Sequence, residues 1–408
     1  MQQYEAQILR SALRELGGDI SANVSSPLAQ GKVQITSFLL AHLMAREAGD
    51  HAYASVEEEV AALKRVEQEE QRILVAPSAT ASEYVAITSE TLTPYLRSRL
   101  DLPALQVTDL RASLGGYSKQ TWLITLEGAG QFDNRLVLRC DQVGSPVEAK
   151  TADEYGVIKL MHARGVPVPE PLWVDREPPF GGTCMVMRMV QGQTAYDVTG
   201  TQIGKDGRDA ALGLALALGQ VHSTPVDLLP LPPALLGASL REHVHRILKF
   251  YEDQWKRRRV GTSPTVSAAL AWLYDNIPDQ GVPALVHGDA SLRNLMVHDG
   301  KPSALLDWEL WHVGDHNEDL AYCRSDVEQF IDWDEFMKVY TDHGGRSFDP
   351  SAARFYGIFG ALRNAVFADA CVHSFVHAPI PDPKLAYGAL VLGRKLIYDI
   401  ATQLQQCQ

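Results

Sequence analysis

The sequence predicts an α+β protein of two lobes, one small and β-rich, the other larger and mainly helical, preceded by a helical extension. Three observations point there. Runs of β-type residues crowd the stretch from about 105 to 190. Apolar residues at helical spacing dominate both before and after it. The chain, at 408 residues, is too long for one simple core.

The extension is read over 1–95. Ile8, Leu9, Leu13 and Leu16 fall at helical spacing, as do Phe38, Leu39, His42, Leu43 and Ala45. Residues 57–72 are highly charged with Val60, Leu63 and Val66 on one side, a solvated amphipathic helix. Residues 76–92, rich in Ala, Ser and Thr, read as a linker with one short strand or turn. The small lobe, 105–190, holds strands over 121–126 and 135–139 joined by a glycine-bearing turn, then a helix over 154–164. The run Val166-Pro167-Val168-Pro169-Glu170-Pro171 is unfit for a helix interior, and a further strand follows over 184–190. The large lobe, 191–408, reads as helices over 207–221, 240–259, 267–276 and from 334 onward, with one short island at 285–308.

Composition narrows the partners. The hydrophobic fraction of 46% and charged fraction of 21% are ordinary globular values. A formal charge of −13 disfavours nucleic acid and anionic membranes. Five scattered cysteines without CxxC spacing read as thiols in a reducing cytosol. The first residues carry no basic stretch leading into an apolar one, and no run of about 18 apolar residues occurs. The expectation is a cytoplasmic protein that binds neither membrane nor nucleic acid.

The island carries the chemistry. Residues 295–298 and 303–306 are short apolar strands around Asp299-Gly300, a hairpin signal. A hairpin brings its ends together, so Asn294, just before the first strand, lies beside Asp307, just after the second. Asp289 precedes Asn294 by five residues, on the loop entering the hairpin. Two carboxylates and an amide thus converge. Phosphoryl transfer needs such a set: one carboxylate positions and deprotonates the attacking hydroxyl, while a carboxylate and an amide oxygen hold magnesium against nucleotide phosphates. Hard oxygen ligands suit magnesium. The Asp-to-Asn spacing is that of the protein-kinase catalytic loop.

His287-Gly288-Asp289 with Asn294 resembles the catalytic loop of aminoglycoside phosphotransferases and choline kinases. Leu306-Asp307-Trp308-Glu309-Leu310, Gly314-Asp315 and Asp319-Leu320-Ala321-Tyr322 resemble more closely the branch that includes kinase-like domains attached to some acyl-CoA dehydrogenases. The resemblance runs from about 105 to 408 and implies a protein-kinase-like fold, with ATP as co-substrate and Mg2+ as cofactor. It further implies that Asp289 is the catalytic base and that Asn294 and Asp307 are metal ligands. In the small lobe, Gly115, Gly116 and Ser118 match the family's glycine turn, where backbone N–H groups approach phosphates; Lys119 stands where the family usually has Asn. Arg139 matches the phosphate-binding position and Glu154 its helical partner. Met187 and Met189 fall in the segment that resembles the adenine-binding hinge.

Beside these stand plainer readings. His287 is expected to brace the loop, as are Asp315 and Asp319. Glu309 reads either as an aid to metal or substrate or as a buried ion-pair partner. The basic run Lys256-Arg257-Arg258-Arg259 reads as cations on a helix C-terminal dipole, with a clamp for a phosphate-bearing substrate as the alternative. The implied function is ATP-dependent phosphorylation of a hydroxyl on an unidentified small molecule, neutral or anionic and partly hydrophobic. The alternatives are a hydroxyacyl-CoA kinase and a catalytically dead nucleotide-binding module; the presence of Asp289, Asn294 and Asp307 weighs against the last.

Overall fold

The computed structural model describes residues 87–407 except 114–117, 131, 143, 196–206, 260–262 and 378–382. The helices expected over 1–75, most of the expected linker, and the glycines Gly115 and Gly116 lie outside the described residues.

The first described element, α1 (Ser89–Leu100), begins with a capping box in which Thr88 and Thr91 satisfy each other's backbone N–H. It encloses Pro94 and runs straight through the expected extension boundary at 95. Residues 89–92, expected as linker, are its first turn. The physical reason lies in spacing: Leu92, Tyr95 and Leu96 fall on one face and are buried against the sheet that follows. Arg97 Nε donates to Leu105 O at 2.6 Å, and Tyr95 and Arg99 both reach Asp175. We expect a chain starting at Ile87 to keep cooperative melting. Starting instead at Pro103 should cost about 5 kcal/mol, since three large apolar side chains lose their burial. Thermal melts of both truncations check this; equal midpoints would show α1 to be dispensable.

The sheet is antiparallel, in the order β1-β2-β3-β5-β4. Its strands are β1 (Gln106–Ala112), β2 (Lys119–Glu127), β3 (Arg135–Asp141), β4 (Pro171–Asp175) and β5 (Cys184–Arg188). Side chains alternate along β3: Leu136, Leu138 and Cys140 are buried towards α1, which sends Val137 and Arg139 to the other face. That face meets α2 (Thr151–Ala163), which buries Glu154, Val157, Ile158 and Met161 at helical spacing. Glu154 is thus on the buried stripe, opposite Arg139.

In the large lobe, β6 (Gln193–Thr194) joins the hairpin of β8 (Leu295–His298) and β9 (Lys301–Leu305). Asp299 and Gly300 form the hairpin turn with φ of 50° and 72°, both positive as a tight two-residue turn requires. A separate pair, β7 (Ala284–Val286) and β10 (His312–Gly314), brackets the island from the other side. Helix α3 (Gly207–His222) covers the hairpin. Two more helices, α4 (Leu240–Arg258) and α5 (Pro264–Asp275), build a second core further along the chain. Next come α6 (Asn317–Val327) and α7 (Trp333–Asp342). The long α8 (Ala352–His377) packs its Ile358, Phe359 and Leu362 into that second core, and α9 (Pro383–Gln405) runs beside it.

Candidate active site

The loop between β7 and β8 is held from below by one carboxylate. Asp319, fully buried at the start of α6, accepts the backbone N–H groups of His287 (2.7 Å) and Gly288 (2.9 Å). Its other neighbour is His222 Nε2 at 3.0 Å. Burial alone would raise this carboxyl, but the hydrogen bonds and the two histidines outweigh it and hold it at about 2. Gly288 is required on two counts: its φ is +85°, and a Cβ there would lie 2.4 Å from Leu310 O. His287 ties the loop to the hairpin. Its Nδ1 accepts Asp289 N–H at 3.2 Å, so its Nε2 carries the proton and donates to Leu306 O at 3.0 Å. Bracing, as expected, is what His287 and Asp319 do.

The expected convergence is present. Asn294 Nδ2 donates to Asp289 Oδ2 at 2.8 Å and to Asp289 O at 2.9 Å, while Asn294 O accepts from Leu306 N at 2.7 Å. With both amide hydrogens used, the Asn294 amide oxygen is the group left to face a cation. Asp307 follows with left-handed backbone, φ 65° and ψ 63°, a conformation that Asp tolerates better than most residues. This turn swings its carboxylate out of the hairpin to meet Arg139 Nη2 at 2.6 Å. The Asp289 carboxyl is raised, chiefly by burial and further by Asp307; Arg363, His287 and the hydroxyl of Tyr322 pull it back.

Arg139 gathers the acidic groups. Its guanidinium lies 3.1 Å from Glu154, 2.6 Å from Asp307 and 3.5 Å from Glu309. Glu309 in turn accepts from the hydroxyl of Ser118, so the residue that leads into β2 is fastened directly to the hairpin side. Burial, then the charge of Asp307, pushes Glu309 up to about 8. Its contacts are the Ser118 hydroxyl and, at 3.5 Å, the Arg139 guanidinium. Lys119 is buried as well. It donates to Asp141 at 2.7 Å and sits 3.6 Å from Glu154, adding a second cation to this side of α2.

The hinge segment lies at the junction of the two sheets. Met187 is buried within β5, paired with Val137 and Pro171, and Met189 N donates to Arg135 O at 3.3 Å just before β6. The basic run occupies the last turn and the C-cap of α4, as the helix-dipole reading expects, and it also ties down a neighbouring loop. Arg257 and Arg258 reach Glu148 at 3.0 and 3.1 Å, and Arg258 donates to the carbonyls of Ser145 and Pro146. Lys256 pairs with Glu252, and Arg259 lies over the Trp255 ring. The run straps the loop after β3 to α4, and all four cations are engaged with protein groups.

Three residues that sequence reasoning did not single out as site residues complete the surroundings. Tyr322, on α6, points its hydroxyl at Asp289. Arg363, on α8, lies 4.6 Å from the Tyr322 ring centroid, and Tyr251, on α4, is buried within reach of the charges of both Arg363 and Asp289. The one available signal was an arginine inside the apolar stretch Ile358-Phe359-Gly360-Ala361-Leu362-Arg363.

The donor set is hard oxygen throughout, and no cluster of three or more His, Cys, Asp or Glu side chains suited to a metal occurs among the described residues. That composition fits Mg2+, which binds through one or two protein oxygens and completes its shell with water and substrate phosphates.

Comparison with known proteins gives the family and the fold. The chain is 31% identical over 198 residues to acyl-CoA dehydrogenase family member 11 of Gallus gallus, a match covering 48% of this chain and 25% of that protein. The chain therefore spans about a quarter of that relative's length. Among solved structures it shares the fold of an aminoglycoside phosphotransferase homologue from Ralstonia eutropha, with TM-score 0.55, 19% identity, and coverage of 78% of this chain and 99% of that one. It also shares the fold of a thermostable aminoglycoside phosphotransferase mutant in ternary complex with AMP-PNP and hygromycin B, with TM-score 0.52, 16% identity, and coverage of 77% and 98%. A model of the phosphotransferase enzyme family matches residues 109–356. That span takes in most of the sheet, the Arg139–Glu154 pair, the loop that carries Asp289 and the hairpin, and on it the chain belongs to the phosphotransferase enzyme family.

Proposed function

We propose that the protein transfers the γ-phosphoryl group of ATP, with Mg2+, to a hydroxyl of a small, partly hydrophobic molecule that is neutral or anionic. The observation that carries this reading is the meeting of Asp289, Asn294 and Asp307 beneath Arg139. The solved relative that binds AMP-PNP supports ATP as the donor.

Each residue has a part. Asp289 orients the acceptor hydroxyl and takes its proton as the oxygen attacks; Asn294 keeps the receiving carboxylate oxygen in place. Asp307 and the Asn294 amide oxygen would hold Mg2+, which neutralises charge on the phosphates. Arg139, steadied by Glu154, would turn its fork onto phosphate oxygens. The backbone of the segment that includes Met187 and Met189 would face adenine, and the turn of Gly115, Gly116 and Ser118 would cover the phosphates.

The charge of the stretch beyond residue 350 supports the acceptor class. Polycationic antibiotics need an acidic surface to offset their charges. From 351 to 408, Arg354, Arg363, Lys384, Arg394 and Lys395 outnumber Asp369, Asp382 and Asp399, giving 5 − 3 = +2. The acidic cluster of 326–335 is partly spent within the protein, Glu328 on Arg324 and Glu335 on Arg208. A screen for acceptor-dependent ADP release across hydroxyacyl-CoAs, hydroxy acids, amino alcohols, sugars and kanamycin tests the proposal. We expect a neutral or anionic alcohol to be the best acceptor; kanamycin turnover at kcat/KM on the order of 10⁴ M⁻¹s⁻¹ or above would overturn that class.

A further inference from the structure

Arg363 is 2% exposed, yet it makes a single hydrogen bond, from Nη1 to Glu318 at 3.0 Å. Its Nε and Nη2 have no partner among the described residues. These two nitrogens form one edge of the guanidinium, with parallel N–H bonds spaced to grip two oxygens of the same group. Glu318 cannot fill that edge, because its second oxygen is held by His312 at 3.1 Å. Nor does Tyr322, which meets the group with its ring, the guanidinium carbon lying over it 4.6 Å from the centroid. A buried charged fork without acceptors is costly for a folded protein to keep, and it sits in the wall of the site, close enough for its charge to act on Asp289.

From this geometry we propose that Arg363 is a specificity-determining residue that grips an oxyanion on the acceptor, so that the substrate class is a short hydroxy acid or hydroxy phosphate. The proposal rests on the phosphotransferase reading and narrows its acceptor. Tyr322 sets the spacing: its ring lies under Arg363, and its hydroxyl is close enough to Asp289 to act on that carboxyl. The oxyanion and the reacting hydroxyl are therefore separated by little more than one tyrosine ring, a few bonds in the substrate. Tyr322 itself is only part-buried.

The test uses the full chain and three probes: 3-hydroxybutyrate, its neutral amide 3-hydroxybutyramide, and glycerol 3-phosphate. Binding is read by calorimetry without nucleotide, and turnover by ADP release with Mg-ATP. In the wild type, one of the oxyanions should bind at least tenfold more tightly than the amide, and which of the two does so identifies carboxylate or phosphate as the source. Arg363→Met should abolish that preference. Arg363→Lys, the variant that decides if Met impairs folding, should raise the KM of the oxyanion about tenfold at little changed kcat and unchanged KM for ATP. Equal binding of acid and amide, no oxyanion binding at millimolar concentration, or an oxyanion preference that survives both substitutions would overturn the proposal. Arg363-dependent binding without any ADP release would leave it standing and remove the phosphoryl-transfer reading instead.

Discussion

Asp289→Asn is expected to lower kcat by roughly a hundredfold or more, the usual contribution of a positioned base, while leaving Mg-ATP affinity nearly unchanged. The fold should survive the change. Burial raises the Asp289 carboxyl, so its ionisation, as pH rises through that elevated value, disfavours the folded state, and an amide avoids this. The amide oxygen can still accept the Asn294 hydrogen bond now made at 2.8 Å. Loss of rate therefore reports loss of the proton acceptor rather than collapse of the loop. Single-turnover kinetics on an acceptor found by the screen, with a thermal melt alongside, decides the matter. Near wild-type turnover would show that another group takes the proton.

Asp307→Ala should be more severe, abolishing turnover to within roughly a thousandfold of background and weakening Mg-ATP binding, because metal-assisted charge stabilisation is worth several kcal/mol. Two effects combine in that variant. The carboxylate is lost, and alanine is strained at the left-handed φ of 65°. Asp307→Asn separates them, since asparagine accepts this backbone but brings no charge. We expect both variants to lose magnesium dependence in calorimetric Mg-ATP titrations, with Asn retaining the wild-type melting temperature. Unchanged affinity and unchanged magnesium dependence would place the metal elsewhere.

Much of the candidate site was legible because its residues are close in sequence. Asp289, Asn294 and Asp307 belong to one loop and one hairpin, and Asp299-Gly300 announces the turn that joins them. Arg139 and Glu154 could be matched because a strand and the following helix each present one face to the core. What escaped notice has physical causes. Strand β1 alternates weakly and carries Thr108, Asp109 and Arg111; β4 begins at a proline. Pro94 hid the helix whose Leu92, Tyr95 and Leu96 cap the sheet. Arg363, Tyr322 and Tyr251 come from three helices far apart in sequence and meet only in the fold. Lys119 stands where the family usually has Asn, and only the folded chain reveals that it pairs with Asp141.

The ion pair between Arg139 and Asp307 has a kinetic meaning. A bare divalent cation arriving at Asp307 finds that seat taken by a guanidinium 2.6 Å away and would bring like charge against it. If Asp307 holds magnesium as proposed, a triphosphate carrying that ion would balance the exchange, offering the metal to the carboxylate and phosphate oxygens to Arg139. Nucleotide and metal should therefore enter as one ligand, with the free ion a weak binder on its own. On that reading the resting pair would act as a filter on the order of addition, holding the two halves of the site together until the complete donor arrives.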